Sequence, residues 1–157
     1  MNGSILLVLG CGSNDRASTS PSSYRPSEDA AFAWACRTGS KIVVLQILNS
    51  KLYHWGHTDP IVPGQGRDTF IRYIREQTLL KGLRQKKDLM QRAAAEKVLL
   101  EIETVESENP DRVILREAVK EFDRIFIPRE RKKLFPVLQR SLAQRLKSKS
   151  IPNVVVC

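Results

Sequence analysis

Cysteine, histidine, aromatic residues and long apolar runs are all scarce in this 157-residue sequence. Each scarcity closes off a class of protein. The three cysteines, Cys11, Cys36 and Cys157, stand far apart, with no Cys-x-x-Cys or His-Cys spacing. An odd, scattered set argues against a disulfide framework and a zinc site. Cys11 ends an apolar run, where a small buried hydrophobe is the expected role and a reactive thiol the alternative. No apolar run reaches the roughly 18 to 20 residues that a membrane-spanning helix needs. Residues 1–10 lack the basic segment and small-residue cleavage site of a signal peptide, so the expected location is the cytoplasm. Nothing in the chain pairs a nucleophile with a base and an orienting third group, and no paired carboxylates suggest acid–base work. The expectation is therefore a protein that is not an enzyme. Negative charge is the last shortage: 17 Asp and Glu against 26 Lys and Arg leave a net charge of +9. That excess either favours anionic partners or serves solubility alone.

What is present is an alternation of apolar runs and helical patterns. Ser4-Ile-Leu-Leu-Val-Leu-Gly10 is continuously apolar and bounded by glycines, as a strand covered on both faces would be. Residues 11–27, rich in Ser, Gly, Asn and Pro, form a loop. Ser27 is placed to cap a helix over 28–38, with Glu28 and Asp29 in its first turn and Gly39 as its stop. Lys41 to Leu48 is a second buried strand. Residues 49–66 carry two prolines and three glycines and read as a long irregular connection. An amphipathic helix follows over 67–96, with Phe70, Ile71, Ile74, Leu79, Leu80, Leu83, Leu89, Met90 and Ala93 as its apolar set and Gly82 as a break. Val98 to Val105 alternates as an edge strand does. Asn109-Pro110-Asp111 opens another helix, with Val113, Ile114, Ala118 and Val119 as its buried stripe. Phe122 to Ile127 is a short strand, Leu134 to about Ser148 a last helix, and Pro152 to Cys157 a final strand.

This order makes one domain over residues 1–157: an α/β, doubly wound, five-stranded parallel sheet with helices on both faces. Ligands of such folds bind beyond the carboxyl ends of the strands.

Several local patterns resemble the universal stress protein family across nearly the whole length. Gly10-Cys11-Gly12-Ser13 follows the first strand, and Asn109-Pro110 precedes the third helix. Phe122-Asp123-Arg124-Ile125-Phe126-Ile127 is similar to that family's Asp-Leu-Ile-Val-Met strand. Ser150-Ile151-Pro152-Asn153-Val154-Val155-Val156 is similar to its Ala-Pro-Cys-Pro-Val-Leu-Val ending. The resemblance implies a Rossmann-like fold, a role in the stress response as a regulatory or binding module, and a homodimer. It also leaves ATP or AMP as a candidate ligand, with no cofactor firmly implied.

Nucleotide-binding members hold ATP with an acidic residue after the first strand and a Gly-x-x-Gly-x9-Gly-Ser/Thr loop after the fourth. A backbone packed on phosphate has no room for a Cβ and often needs positive φ, hence the glycines. Here the acidic position falls at or near Cys11. Pro128 and Arg131 stand at the first two glycines, and Arg140 or Ser141 at the third, so only Ser141 survives of the Gly-Ser/Thr pair. The ordinary cradle cannot be built.

In its place runs Arg129-Glu130-Arg131-Lys132-Lys133. One reading is a rebuilt anion site using Gly12, Ser13, Arg129, Arg131, Lys132 and Ser141, with Asn14, Asp15 and Arg16 on the same cleft. The other is a solvated charge run in a vestigial pocket. No aromatic residue interrupts this run, so it offers no base-stacking platform, and nucleic acid is not the expected partner. His54, His57 and Asp59 have metal-ligand spacing, set against a plain packing role for their loop, and no metal is expected. Val154, Val155 and Val156 make a bare apolar edge that an isologous dimer would cover.

Overall fold

The computed structural model describes residues 3–11, 26–54, 64–128, 144–146, 151 and 153–157. The strands are β1 (Ser4–Cys11), β2 (Lys41–Asn49), β3 (Leu100–Ser107), β4 (Arg124–Ile127) and β5 (Val154–Val156). They form one sheet in the order β3-β2-β1-β4-β5, and every neighbouring pair is parallel. The helices α1 (Pro26–Thr38), α2 (Gly64–Glu96) and α3 (Pro110–Glu117) lie in the crossovers. A 3-10 turn, Lys51–His54, follows β2 inside the connection expected to be irregular.

Period-two alternation splits the sheet residues between two cores. Ile5, Leu7 and Leu9 of β1, Ile42 and Val44 of β2 and Phe126 of β4 pack beneath Ala31, Phe32 and Ala35 of α1 and Leu89 and Ala93 of α2. Leu6, Val8, Leu45, Ile47, Ile125 and Ile127 face the other way, onto Val113, Ile114 and Ala118 of α3 and the fully buried Leu146. Residues 144–146 are helical and bring Leu146 onto the α3 face. The sheet is thus covered on both faces, as its unbroken apolar strands require.

The helix ends follow their local chemistry. α1 starts at Pro26, one residue ahead of the expected Ser27 cap, and Ser27 and Glu28 are buried inside its first turn. It ends at Gly39, whose φ of +68° suits a residue without a Cβ and whose N–H reaches Ala35 O at 2.8 Å. Asn109 caps α3 as expected, its Oδ1 accepting from Arg112 N at 3.2 Å ahead of Pro110. Val119, expected in the buried stripe, is exposed, because α3 ends at Glu117.

α2 differs most from expectation. It runs 33 residues without interruption, about 50 Å at 1.5 Å per residue, and Gly82 lies inside it rather than at a break. The glycine is there for proximity: a Cβ on it would stand 3.1 Å from Leu48 Cδ2 and 3.6 Å from the Gln46 amide. Gln46, buried on β2, donates to Gly82 O at 2.8 Å and to Gln85 Oε1 at 2.9 Å, while accepting from Thr104 on β3 at 3.0 Å. Near its other end Arg92 joins α2 to α1, bonding Asp29 at 2.6 Å and Glu96 at 2.7 Å with its guanidinium 4.4 Å from the Phe32 ring. Only Thr78, Gly82, Leu89 and Ala93 of α2 are buried. Phe70, Leu79, Leu80, Leu83 and Met90, read from the sequence as core, are exposed.

Candidate functional site

In a doubly wound sheet the crevice opens where neighbouring strands send their connections to opposite faces. Here that point lies between β1 and β4. β1 leads into α1 on one face, whereas the segment after β4 returns through Leu146 on the other. The floor is a step. β1 stays paired with β2 up to Cys11 opposite Leu48, but its register with β4 ends at Leu7 opposite Phe126. Pro128 follows β4 at once and has no N–H to continue the ladder. Gly10 is exposed on this step, and a Cβ placed on it meets no atom within 4 Å.

The charge around the step is not what a phosphate needs. The backbone of α1 presents the positive end of its dipole here, yet Glu28, buried, and Asp29 occupy that first turn. Asp29 is held by Arg92, and the sequence after β1, Gly12-Ser13-Asn14, brings no acid before Asp15. Anion binding would therefore depend on the far wall. Gly12, Ser13, Arg129, Arg131, Lys132 and Ser141 all lie outside the described residues, as do His57, Asp59 and the side chain of His54. Among the described residues, no group of His, Cys, Asp or Glu could hold a metal ion.

The edge strands are fully described and give the second candidate site. In β5, Asn153 O accepts from Ile125 N and Cys157 N donates to Ile127 O, each at 3.1 Å. Successive residues of a strand turn their backbone groups to opposite sides, so Val154 and Val156 direct N–H and C=O away from β4. Val155 and Cys157 pack into one core and Val154 into the other, while Val156 is 41% exposed. Arg124, opposite Asn153's end of the strand, stacks 3.8 Å from the Trp34 ring centre, with Arg37 also near that ring, at 5.1 Å. The opposite edge, β3, carries Glu101, Glu103 and Glu106. Glu101 pairs with Lys41, whose hydrogen bond and charge hold its carboxyl below the usual range.

Two further features escaped the sequence reading. One is the buried Gln46 knot, which reads there as one polar residue in an apolar strand. The other is the outward apolar set of α2, whose seven-residue spacing was the available signal. Glu117 also forms a tight local site: burial alone would raise its carboxyl, but Lys120 and Arg116 together hold it below the usual range.

No protein-family model matches the sequence, and no curated protein matches it. Solved structures do. A universal stress protein family member from Burkholderia pseudomallei is 19% identical, with a TM-score of 0.55, over 99% of this chain and 95% of that one. Universal stress protein UspA from Lactobacillus plantarum is 18% identical, with a TM-score of 0.59, over 99% and 98%. Among the described residues no helix is long and apolar enough to cross a membrane. With its parallel order β3-β2-β1-β4-β5 and these end-to-end matches, the chain has the universal stress protein fold.

Proposed function

We propose that this chain is a non-enzymatic regulatory or binding module of the stress response, cytoplasmic, and active as a homodimer joined along β5. The observation that carries the reading is the contrast between the two sheet edges. Two copies joined along β3 would bring rows of glutamates together, and edge charges of this kind oppose pairing. β5 is three valines without charge. An antiparallel pair of β5 strands centred on Val155 sets Val154 of each copy opposite Val156 of the other, and both outward residues then make two hydrogen bonds. A register centred on Val154 would instead set Val156 against Pro152, which has no donor.

Val156→Lys tests this, because the position is exposed and the charge acts on the edge alone. Sedimentation should show loss of the β5 contact with circular dichroism unchanged. Unchanged association would remove the reading.

A second reading rests on the basic run after β4: an adenine nucleotide held by Arg129, Arg131 and Lys132 in place of the glycine cradle. Titration calorimetry with ATP and AMP, with and without Mg²⁺, separates the two. Binding that weakens in Arg131→Ala supports a rebuilt phosphate site. No heat at high nucleotide concentration leaves the pocket vestigial and the protein surfaces as the working parts.

A further inference from the structure

The outward face of α2 has a pattern that its attachment to the sheet does not explain. Tyr73, Glu76, Leu80, Leu83, Lys87 and Met90 follow the alternating steps of three and four residues that place side chains along one seam of a helix. All six are exposed, the apolar ones heavily: Tyr73 57%, Leu80 40%, Leu83 62% and Met90 55%. The buried residues Thr78, Gly82, Leu89 and Ala93 lie on the opposite side, pinned by the Gln46 bonds. The seam therefore points away from the sheet, and an exposed apolar stripe of this extent marks an interaction surface.

We infer that this seam pairs antiparallel with the same seam of a second copy. The argument is the charge pattern, which is complementary to itself in one direction only. Set antiparallel about the midpoint of Leu80 and Leu83, Tyr73 meets Met90 of the second copy, Glu76 meets Lys87, and Leu80 meets Leu83. The two-fold axis repeats the same three pairs, giving four apolar layers and two of opposite charge. A parallel alignment in register would instead set Glu76 on Glu76 and Lys87 on Lys87. Neither Glu76 nor Lys87 enters an ion pair among the described residues, so both are available. Leu79 flanks the seam and adds apolar surface. Short as the seam is, the sheet already holds the helix in shape, which removes much of the ordering cost of association.

This contact is separate from β5, since α2 lies over the β2 and β3 side of the sheet. Two isologous interfaces on one chain build a dimer of dimers or a longer array rather than a simple dimer.

The test uses sedimentation of the full chain, with circular dichroism as the check on folding. In a Val156→Lys background the α2 contact is isolated, and a dimer is expected. Adding Glu76→Lys sets two lysines face to face, and adding Lys87→Glu instead sets two glutamates. Either should weaken association by about tenfold or more. Combining both reversals exchanges the partners and should restore the dimer. Conversely, Glu76→Lys alone leaves the β5 contact, so the failure of one interface is distinguishable from failure of the other. The inference is overturned if the folded Val156→Lys protein is a monomer at its highest soluble concentration, if the single reversals change nothing, or if the double reversal fails to restore pairing. It is equally overturned if the monomer binds phosphatidylserine vesicles through this face, with binding lost in Leu83→Asp.

Discussion

Replacing Gln46 separates the contribution of its hydrogen bonds from that of its volume. Its amide makes three bonds, to Gly82 O, Gln85 Oε1 and Thr104 Oγ1, at 2.8 to 3.0 Å. Gln46→Leu removes them at a net cost of roughly 0.5 to 1.5 kcal/mol each. A buried leucine returns roughly 1.5 to 3 kcal/mol of transfer free energy. Thr104 is exposed and Gln85 half-buried, so both turn to water and no orphaned side-chain group remains. The two effects nearly cancel, and the expected loss is about 1 kcal/mol.

Gln46→Glu keeps the shape and reverses the outcome. The introduced carboxylate faces the Gly82 carbonyl, which cannot donate, while only the neutral donors of Thr104 and a turned Gln85 amide can reach it, and no cation among the described residues does. A buried, uncompensated charge costs about 3 to 5 kcal/mol. Its carboxyl is therefore held protonated more strongly in the fold than in the unfolded chain. A raised pKa gives stability that is present below the unfolded value, about 4.3, and lost as pH rises through the folded value. Urea unfolding followed by tryptophan fluorescence from about pH 4 to 8 should show a penalty that grows with pH for Gln46→Glu and stays flat for Gln46→Leu. If Gln46→Glu matched the parent protein at pH 8, or proved milder than Gln46→Leu, the closed polar knot between β2, β3 and α2 would be wrong.

Four other outcomes follow from single contacts. Asn109→Ala removes the α3 cap and should cost about 1 kcal/mol in urea unfolding, with Asn109→Asp close to neutral. Leu146→Ala opens a cavity on the α3 face and should cost about 2 to 5 kcal/mol, which would confirm that the last crossover seals that core. Cys36 is exposed, yet desolvation and the Glu96 carboxylate 3.5 Å away raise its thiol, so it should react slowly with a disulfide reagent and faster in Glu96→Gln. Glu117 is held below the usual carboxylate range, so its contribution is present at neutral pH and lost as pH falls through the folded value. Glu117→Gln should flatten that acid limb of stability.

The fold was legible because strand burial is written in long apolar runs. Ile5 to Leu9 and Ile42 to Leu48 could not face water on either side, which forced a sheet covered on both faces. The Asn109-Pro110-Asp111 start of α3 was legible for the same kind of reason, each residue having one physical use there. Edges were less so. β3 begins at Leu100 rather than Val98, since Val98 N first closes the end of α2 on Ala93 O. α2 is less legible because its apolar residues do not all fall on one face. Gly82 then looked like a break, when its missing side chain is what lets the helix lie close on Gln46 and Leu48. The proposed anion site was legible only as a basic run after β4. That Pro128 has no N–H is a covalent fact, whereas the positions of Arg129, Arg131 and Lys132 depend on contacts that residue types do not specify.

Core and crevice draw on different residues. Gly10 and Pro128 are exposed and belong to neither buried cluster, so substitutions there leave the two cores untouched. Three features bear on how a phosphate could be held. Pro128 withdraws a donor, Cys11 brings no acid, and buried Glu28 already occupies the positive end of α1. A phosphate held by the proposed Arg129, Arg131 and Lys132 would bind mainly through charge, and its affinity should fall steeply with salt. Salt-insensitive nucleotide binding would contradict that proposed site directly, because its affinity would then come from contacts other than those charges.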